Sequence, residues 1–397
     1  MHGQRRGWGK GGGIRCAAVM AAALVAASGA GSAGPPARIG AGQAPAAAAI
    51  PVAVFGRDDR VPVPAGLREV QEKIGLLFSA RGRTVCTAFC VGRDIVATAG
   101  HCLHRIAGER PPHAADFTFA RNFDALRDPV RIAGHASGAA SQHVMSGATS
   151  LSVRPPIDAT RDWAFVRLAR PACTKGGLPV RVLPVEQIVS EAAAGRVFQI
   201  AYHRDYSPWK LALSRPCGVA RSFEAADWSR IARDFSAPDT LILHTCDTGG
   251  ASSGSPLLLD GPDGPEVIGI NVGTYVHSRV LMQKGKVARR LKADTIANTA
   301  VASAAFADKL DAFRRAAILG SPAQVRELQA LLAGRGLFAG KADGTYGPEL
   351  RSAIEAYEKA EGLPVTGLAS EAILKRLGAG AGAADRAPRK AGRRARS

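Results

Sequence analysis

Three short segments constrain this chain more than anything else in it. Val96-Ala-Thr-Ala-Gly-His101-Cys102 reads as a strand that ends in a histidine. Arg161-Asp162-Trp-Ala-Phe-Val-Arg-Leu168 reads as an aspartate opening an apolar strand. Cys246-Asp-Thr-Gly-Gly-Ala-Ser-Ser253-Gly-Ser-Pro256 places serines in a turn of small residues, ahead of the strand Leu257-Leu-Leu259. Each has an ordinary reading as a loop or strand-end turn. Together they are the types that acyl transfer needs. A serine hydroxyl is a poor nucleophile until an imidazole takes its proton, and a buried carboxylate must fix the tautomer of that imidazole. Small residues around the serine let backbone N–H groups turn inward toward a developing oxyanion. Within the segments, His101 and His104 both stand near the strand end, and Ser252 and Ser253 are adjacent.

The rest of the chain suits a fold that brings such segments together from afar. Short β-type runs alternate with turn residues from about 51 to 300, among them Asp94-Ile-Val-Ala-Thr98, Thr240-Leu-Ile-Leu-His244 and Glu266-Val-Ile-Gly-Ile270. With 45 Gly and 24 Pro in 397 residues, this turn chemistry fits a loop-rich β protein and not a helical bundle. A hydrophobic share of 46% against 21% charged excludes wholesale disorder. Apolar residues at helical spacing over 302–319 close the region, and Gly320-Ser321-Pro322 starts a new unit.

The ends read differently. A basic stretch to Arg15, an Ala-rich apolar run from Cys16 and small residues to Ala33 make residues 1–33 an export signal, too short and too Ala-rich for a spanning helix. Residues 34–50 read as a flexible leader and 379–397 as a basic, disordered tail. Of the net charge of +19, residues 1–15 supply +4 and 385–397 supply +5, so the basic balance is partly a matter of tails. The cluster Lys284, Lys286, Arg289, Arg290 and Lys292 lacks interleaved aromatics and reads as a solvated loop face, not a nucleic-acid surface. Removing Cys16 with the signal leaves six cysteines, an even number for an oxidising compartment. Cys86-x3-Cys90 has no second half for a structural zinc site, and no His, Glu and Asp stand at zinc-hydrolase spacing.

In their order and flanks the three segments resemble the chymotrypsin-like serine proteases, most closely the bacterial glutamyl-endopeptidase-like branch, over about 51–315. Phe55-Gly-Arg-Asp-Asp-Arg60 is similar to the start of the mature chain there, and Gly269-Ile-Asn-Val-Gly273 to the strand on which substrate backbone pairs. The resemblance implies an all-β double β-barrel and a serine endopeptidase without cofactor or metal, acting on protein or peptide. It makes Ser253 the nucleophile, His101 the general base and Asp162 its orienting carboxylate, with the N–H groups of Ala251 and Ser253 as the oxyanion hole. It implies a Cys86–Cys102 disulfide across the histidine loop. A Cys217–Cys246 bridge would brace the serine loop and leave Cys90 for Cys173, or Cys90 as a buried thiol on its strand.

The chain departs from the family at several specificity positions. Ala251 replaces the usual Gly, which keeps a second reading open: a weak or inactive protease fold acting as a wall-bound interaction protein. Ser252 replaces the Asp that clamps a freed N-terminus in trypsin-like zymogens. Asp247 stands where a trypsin-like pocket carries its acidic base, although Asp-Thr also occurs there in the branch without basic specificity. Asn271 stands where glutamyl specificity would want His, and with Asp247 and Gly273 completes the candidate specificity pocket.

Residues 320–378 read as three short helices. Val325-Arg-Glu-Leu-Gln-Ala-Leu-Leu332 is amphipathic, Asp343-Gly-Thr-Tyr-Gly-Pro348 turns into a helix over 349–360, and Ser370 caps a helix over 371–377. With Gly362-Leu-Pro-Val-Thr-Gly367 these elements resemble the all-α peptidoglycan-binding module of bacterial wall enzymes, which implies peptidoglycan as a partner and an exported, cell-envelope location.

Overall fold

The computed structural model describes residues 53–385, apart from 83, 107–112, 122–127, 208–209 and 284–285. The expected signal, the leader and the tail from 386 onward lie outside the described residues. Two seven-stranded antiparallel sheets form the body, in the arrangement of a chymotrypsin-like double barrel. The first runs in the order Val130–Arg131, Thr118–Arg121, Ile74–Ser79, Thr84–Cys90, Ile95–Thr98, Ala164–Arg167, Val144–Ser146. The second runs Val61–Pro62, Leu211–Ser214, Val197–Tyr202, Pro256–Gly261, Gly264–Gln283, Lys286–Ala302, Leu241–His244. Strands such as Ile95–Thr98 and Leu241–His244 are buried at every position, which is why they read as continuous apolar runs and not as alternation. A core of Phe89, Phe165, Phe198, Leu258 and Phe313 joins the sheets, and Phe165 packs edge-on to Phe306 at 5.9 Å.

All six described cysteines are paired: Cys86–Cys102, Cys90–Cys173 and Cys217–Cys246. Cys90 is therefore bonded and not a free thiol. No helix among the described residues is long and apolar enough to cross a membrane.

Three sequence expectations change. Helix over 302–319 contracts to Ala307–Arg315, with Leu310 and Phe313 buried. Ala302 instead ends a strand opposite Gly269, and Ala317 and Leu319 exchange backbone hydrogen bonds with Glu371 and Ala369. The basic cluster from Lys286 to Lys292 lies on a long hairpin strand and not on a loop. The last helix runs from Glu371 to Asp385, so 379–385 is helical where disorder was expected. Once nucleated, a helix propagates readily through Ala, and the interspersed glycines do not stop it.

The C-terminal helices are Pro322–Gly334, Pro348–Ala360 and Glu371–Asp385. Ser321 and Gln324 form a reciprocal capping box at the start of the first, with Pro322 at its first position. Leu328, Leu332, Leu350, Ile354 and Tyr357 fill the small core between them. Buried Gln329 ties this core to the Asp343 turn, accepting from Gly344 N–H at 2.8 Å and donating to Thr345 O at 3.1 Å.

Candidate active site

Strand Ile95–Thr98 leads into a tight turn, Gly100–Cys102, that carries His101. Strand Ala164–Arg167 pairs with it antiparallel, Ala164 opposite Thr98, and this register sets Asp162 beside the turn. Asp162 holds His101 twice. Its Oδ1 accepts the His101 backbone N–H and its Oδ2 the Nδ1–H, both at 2.7 Å. The carboxylate is 8% exposed. Nδ1 being the donor, Nε2 is the ring atom left to accept a proton. Cys102 fastens the turn to Cys86 on the neighbouring strand. His101 lies near both sulfurs, but a disulfide offers no thiolate and the trio is no metal site. His104 faces a separate cavity.

The serine loop, residues 247–255, can be accounted for group by group. Asp247 N–H donates to Ser214 Oγ at 2.9 Å, Thr248 N–H to Ala53 O at 2.9 Å and Gly249 N–H to His203 Nδ1 at 3.1 Å. Ser252 N–H donates to Gly249 O, Gly254 N–H to Asn271 O and Ser255 N–H to Ser252 O. Among the described residues, no backbone carbonyl accepts from the N–H groups of Gly250, Ala251 and Ser253, and the last two are the pair expected to take the oxyanion. Backbone donors are nearly always spoken for in a folded protein, so such a pair in one turn is available to a ligand oxygen. Ala251 takes φ of +83°, a conformation that costs a residue with a Cβ roughly 1–2 kcal/mol.

Ser252 and Ser253 separate cleanly. Ser252 is 4% exposed, and its carbonyl and hydroxyl both accept from Asn271 Nδ2, at 3.1 and 3.3 Å. Ser253 is half-buried, and its carbonyl accepts from Thr87 N–H at 2.9 Å. Next to it, Gly254 abuts the approach to His101. A Cβ there would fall 2.1 Å from Thr98 Oγ1 and 2.8 Å from Ala99 N, so only glycine lets the serine loop approach this closely.

Two of the three candidate specificity residues lie elsewhere. Asp247 is 1% exposed, and its two oxygens accept the N–H groups of Phe55 and Asp59, each at 2.9 Å. It ties down the segment before the first strand and is not an open pocket base. Asn271 is 2% exposed; its Oδ1 takes the Nε2–H of buried His244 at 3.1 Å while its amide holds Ser252. It braces the serine loop from behind. Gly273 does line the cleft of about 230 Å³ beside His101 and Asp162, with Val272, Tyr275 and Phe235.

Several supports were not legible in the sequence. Thr87 donates from Oγ1 to Ala251 O at 2.8 Å and accepts from Tyr202 N–H at 3.1 Å. Burial pushes His203 and His244 down to about 4, so both imidazoles are neutral near pH 7 and serve as plain hydrogen-bond partners. Arg60, 8% exposed, reaches Asp58 and Asp205, each at 2.7 Å, beside the Arg204 N–H that donates to Gly250 O at 2.7 Å. The only signal for these was Arg60 at the end of the Phe55–Arg60 motif; Thr87 and the two histidines carry none.

The trypsin-like peptidase domain family matches residues 86–270, and the peptidoglycan binding domain family matches 321–377. No curated protein matches the chain. Among solved structures, a Glu endopeptidase in complex with MPD is similar at 16% identity, covering 65% of this chain and 98% of its own, with a TM-score of 0.42. A thermostable serine protease, AL20, from an extremophilic microorganism is similar at 17% identity, covering 59% and 91%, with a TM-score of 0.36. The chain thus carries a trypsin-like peptidase domain over residues 86–270 and a peptidoglycan-binding domain over 321–377.

Proposed function

We propose that the protein is an exported serine endopeptidase, held at the cell wall by its C-terminal domain and acting through an acyl-enzyme on Ser253. The observation that carries this reading is the doubly hydrogen-bonded His101–Asp162 pair, set against a serine loop whose Ala251 and Ser253 N–H groups have no backbone acceptor among the described residues. In this reading Ser253 Oγ attacks the scissile carbonyl carbon while its proton passes to His101 Nε2. Asp162 stabilises the imidazolium, and the two N–H groups take the oxyanion. His101 then returns the proton to the departing amine, and water activated by the same imidazole hydrolyses the acyl ester. Ala251 already holds its left-handed conformation, so its methyl is no bar to aiming its N–H. Three disulfides and the peptidoglycan-binding domain fit an extracytoplasmic, wall-associated protein.

Labelling by a fluorophosphonate tests the assignment. Ser253→Ala should abolish both labelling and peptide hydrolysis with the fold intact, whereas Ser252→Ala should keep most of the labelling. Ordinary activity in Ser253→Ala would refute it.

A further inference from the structure

The peptidase and the C-terminal helices meet around a cavity of about 440 Å³, apart from the catalytic cleft. The contact is specific. Arg351 donates to Ser146 O at 2.6 Å and to Ser146 Oγ at 3.0 Å. Ser141 Oγ donates to Tyr346 O, and buried Gln142 donates to Leu319 O, each at 3.2 Å. The module's Asp343-to-Pro348 turn forms one wall, through Thr345, Tyr346 and Pro348, with Arg351 beside it. The peptidase supplies the other, a floor of small apolar groups, Ala114, Ala115, Ala140 and Val144. The volume and the mix of apolar lining with a few polar groups are those of a small-ligand site.

We infer that this composite cavity binds the peptide stem of peptidoglycan: a short peptide with methyl-sized side chains and a carboxylate. The inference rests on the proposed wall tether and says which part of the polymer is held, and by which two domains. The short side chains of the floor, Ala114, Ala115 and Ala140, leave apolar surface that small apolar side chains of a ligand can cover. The Arg351 guanidinium, shared with Glu355 at 2.7 Å, supplies the cation at the cavity wall. His104 also lines the cavity, and its buried Nε2 has no hydrogen-bond partner among the described residues. Burial and the nearby Arg351 push this imidazole down to about 4, so it is neutral and adds no charge to the wall. The glycan is the poorer fit, because among the described residues Tyr346 is the only aromatic ring besides the two imidazoles in the lining, and its hydroxyl is committed to Gly367 O at 2.7 Å.

The test uses the full chain and calorimetric titration with three probes: a soluble muropeptide, the same disaccharide without its peptide, and the free stem peptide. Muropeptide and stem peptide should bind saturably and the bare disaccharide should not. Ala115→Trp, which fills the floor, and Arg351→Gln should each weaken stem-peptide binding about tenfold or more. Fluorophosphonate labelling of Ala115→Trp should match the wild type, which shows that its fold is intact. Equal binding of the disaccharide, or unchanged peptide binding by correctly folded Ala115→Trp, overturns the inference. If intact peptidoglycan still retains the chain in that case, the tether stands and only the composite site falls. If intact peptidoglycan does not retain the wild type at all, the tether reading falls and the site with it.

Discussion

Replacing Thr87 by Val keeps the shape of a fully buried side chain and removes one hydroxyl. That hydroxyl donates to Ala251 O at 2.8 Å and accepts from Tyr202 N–H at 3.1 Å, so the change leaves a carbonyl and an N–H buried and unpaired. Each such group costs roughly 1–3 kcal/mol, and together they should lower stability by about 2–6 kcal/mol, against a total of roughly 5–15 for a typical domain. The damage should also reach chemistry. Ala251 O is the next polar group along the loop from the Ala251 N–H, and nothing else among the described side chains holds it. With this anchor gone, the residue can relax from φ of +83° and misdirect its donor. Loss of one oxyanion donor costs roughly 10²–10³ in kcat, which sets the ceiling for the effect. The assay is urea unfolding alongside the rate of fluorophosphonate labelling, with Thr84→Val as control. Thr84 lies on the same strand, but its hydroxyl reaches only the exposed carbonyl of Gly82 at 3.3 Å, so its loss should fall within about 0.5 kcal/mol of wild type. Thr87→Val with unchanged stability and labelling would refute the claim that this side chain pins the serine loop.

Arg60→Met should cost about 2–3 kcal/mol, measured by urea unfolding, because it strips three charge-assisted hydrogen bonds, two to Asp58 and one to Asp205, from a guanidinium that is buried even though Asp58 is not. Stability should be full above about pH 6.5 and fall as pH drops toward 4. His203 and His244 are pushed down to about 4 in the fold against an ordinary 6.5, so the unfolded chain binds protons that the folded chain refuses. Each contributes a slope of up to about 1.4 kcal/mol per pH unit over that window, and urea midpoints for His203→Gln should show a shallower decline. Chains beginning at successive residues from 34 to 52 should hydrolyse peptides at roughly constant rates, whereas a start beyond Asp59 should lose most of the activity; a sharp switch-on at one particular first residue would show that a free amine is needed.

Much of the fold was legible because its strands are short, buried and punctuated. The run ending at Thr98, the run before Leu168 and the run to His244 each appear within a residue or so of their place. The His101–Asp162 pairing was expected from the family resemblance of the segments in their order and flanks, and the antiparallel register of their two strands places the pair side by side. The lining of the cleft was not. Whether Asp247 faces a substrate depends on whether some other segment claims its oxygens, and the claimants, Phe55 and Asp59, lie 192 and 188 residues away. Asn271 turned out to face Ser252 rather than the cleft, because a buried histidine on the Leu241–His244 strand, one strand beyond its neighbour in the sheet, offers it a donor, a contact that no local pattern carries. The 302–319 stretch failed for a related reason. Its apolar spacing is helical throughout, but Ala302 and Ala317 are claimed by backbone partners outside it.

The placement of Asp247 bears on how the serine loop is set. A zymogen clamp works by a charge: a new ammonium group enters and pairs with a carboxylate beside the nucleophile. Here the residue before Ser253 is Ser252, which is uncharged and held by Asn271. The carboxylate stands six positions upstream, at Asp247, and its partners are internal amides, which exist whatever precedes residue 53. The same segment adds a two-way backbone pairing, Ala53 with Thr248, and the Arg60 link to Asp205, next to His203 and Arg204, which hold Gly249 and Gly250. Asp59 is drawn in as well: burial and the adjacent Asp247 raise its carboxyl above the ordinary range, and Ser214 Oγ donates to it at 3.0 Å. Two carboxyls this close would repel if both were charged and unsupported, so the amides and the Ser214 hydroxyl are what make the arrangement stable. The segment should therefore act as a strut for the loop, held by internal amides and Arg60 and independent of a free N-terminal amine, provided that Ala53 through Arg60 remain.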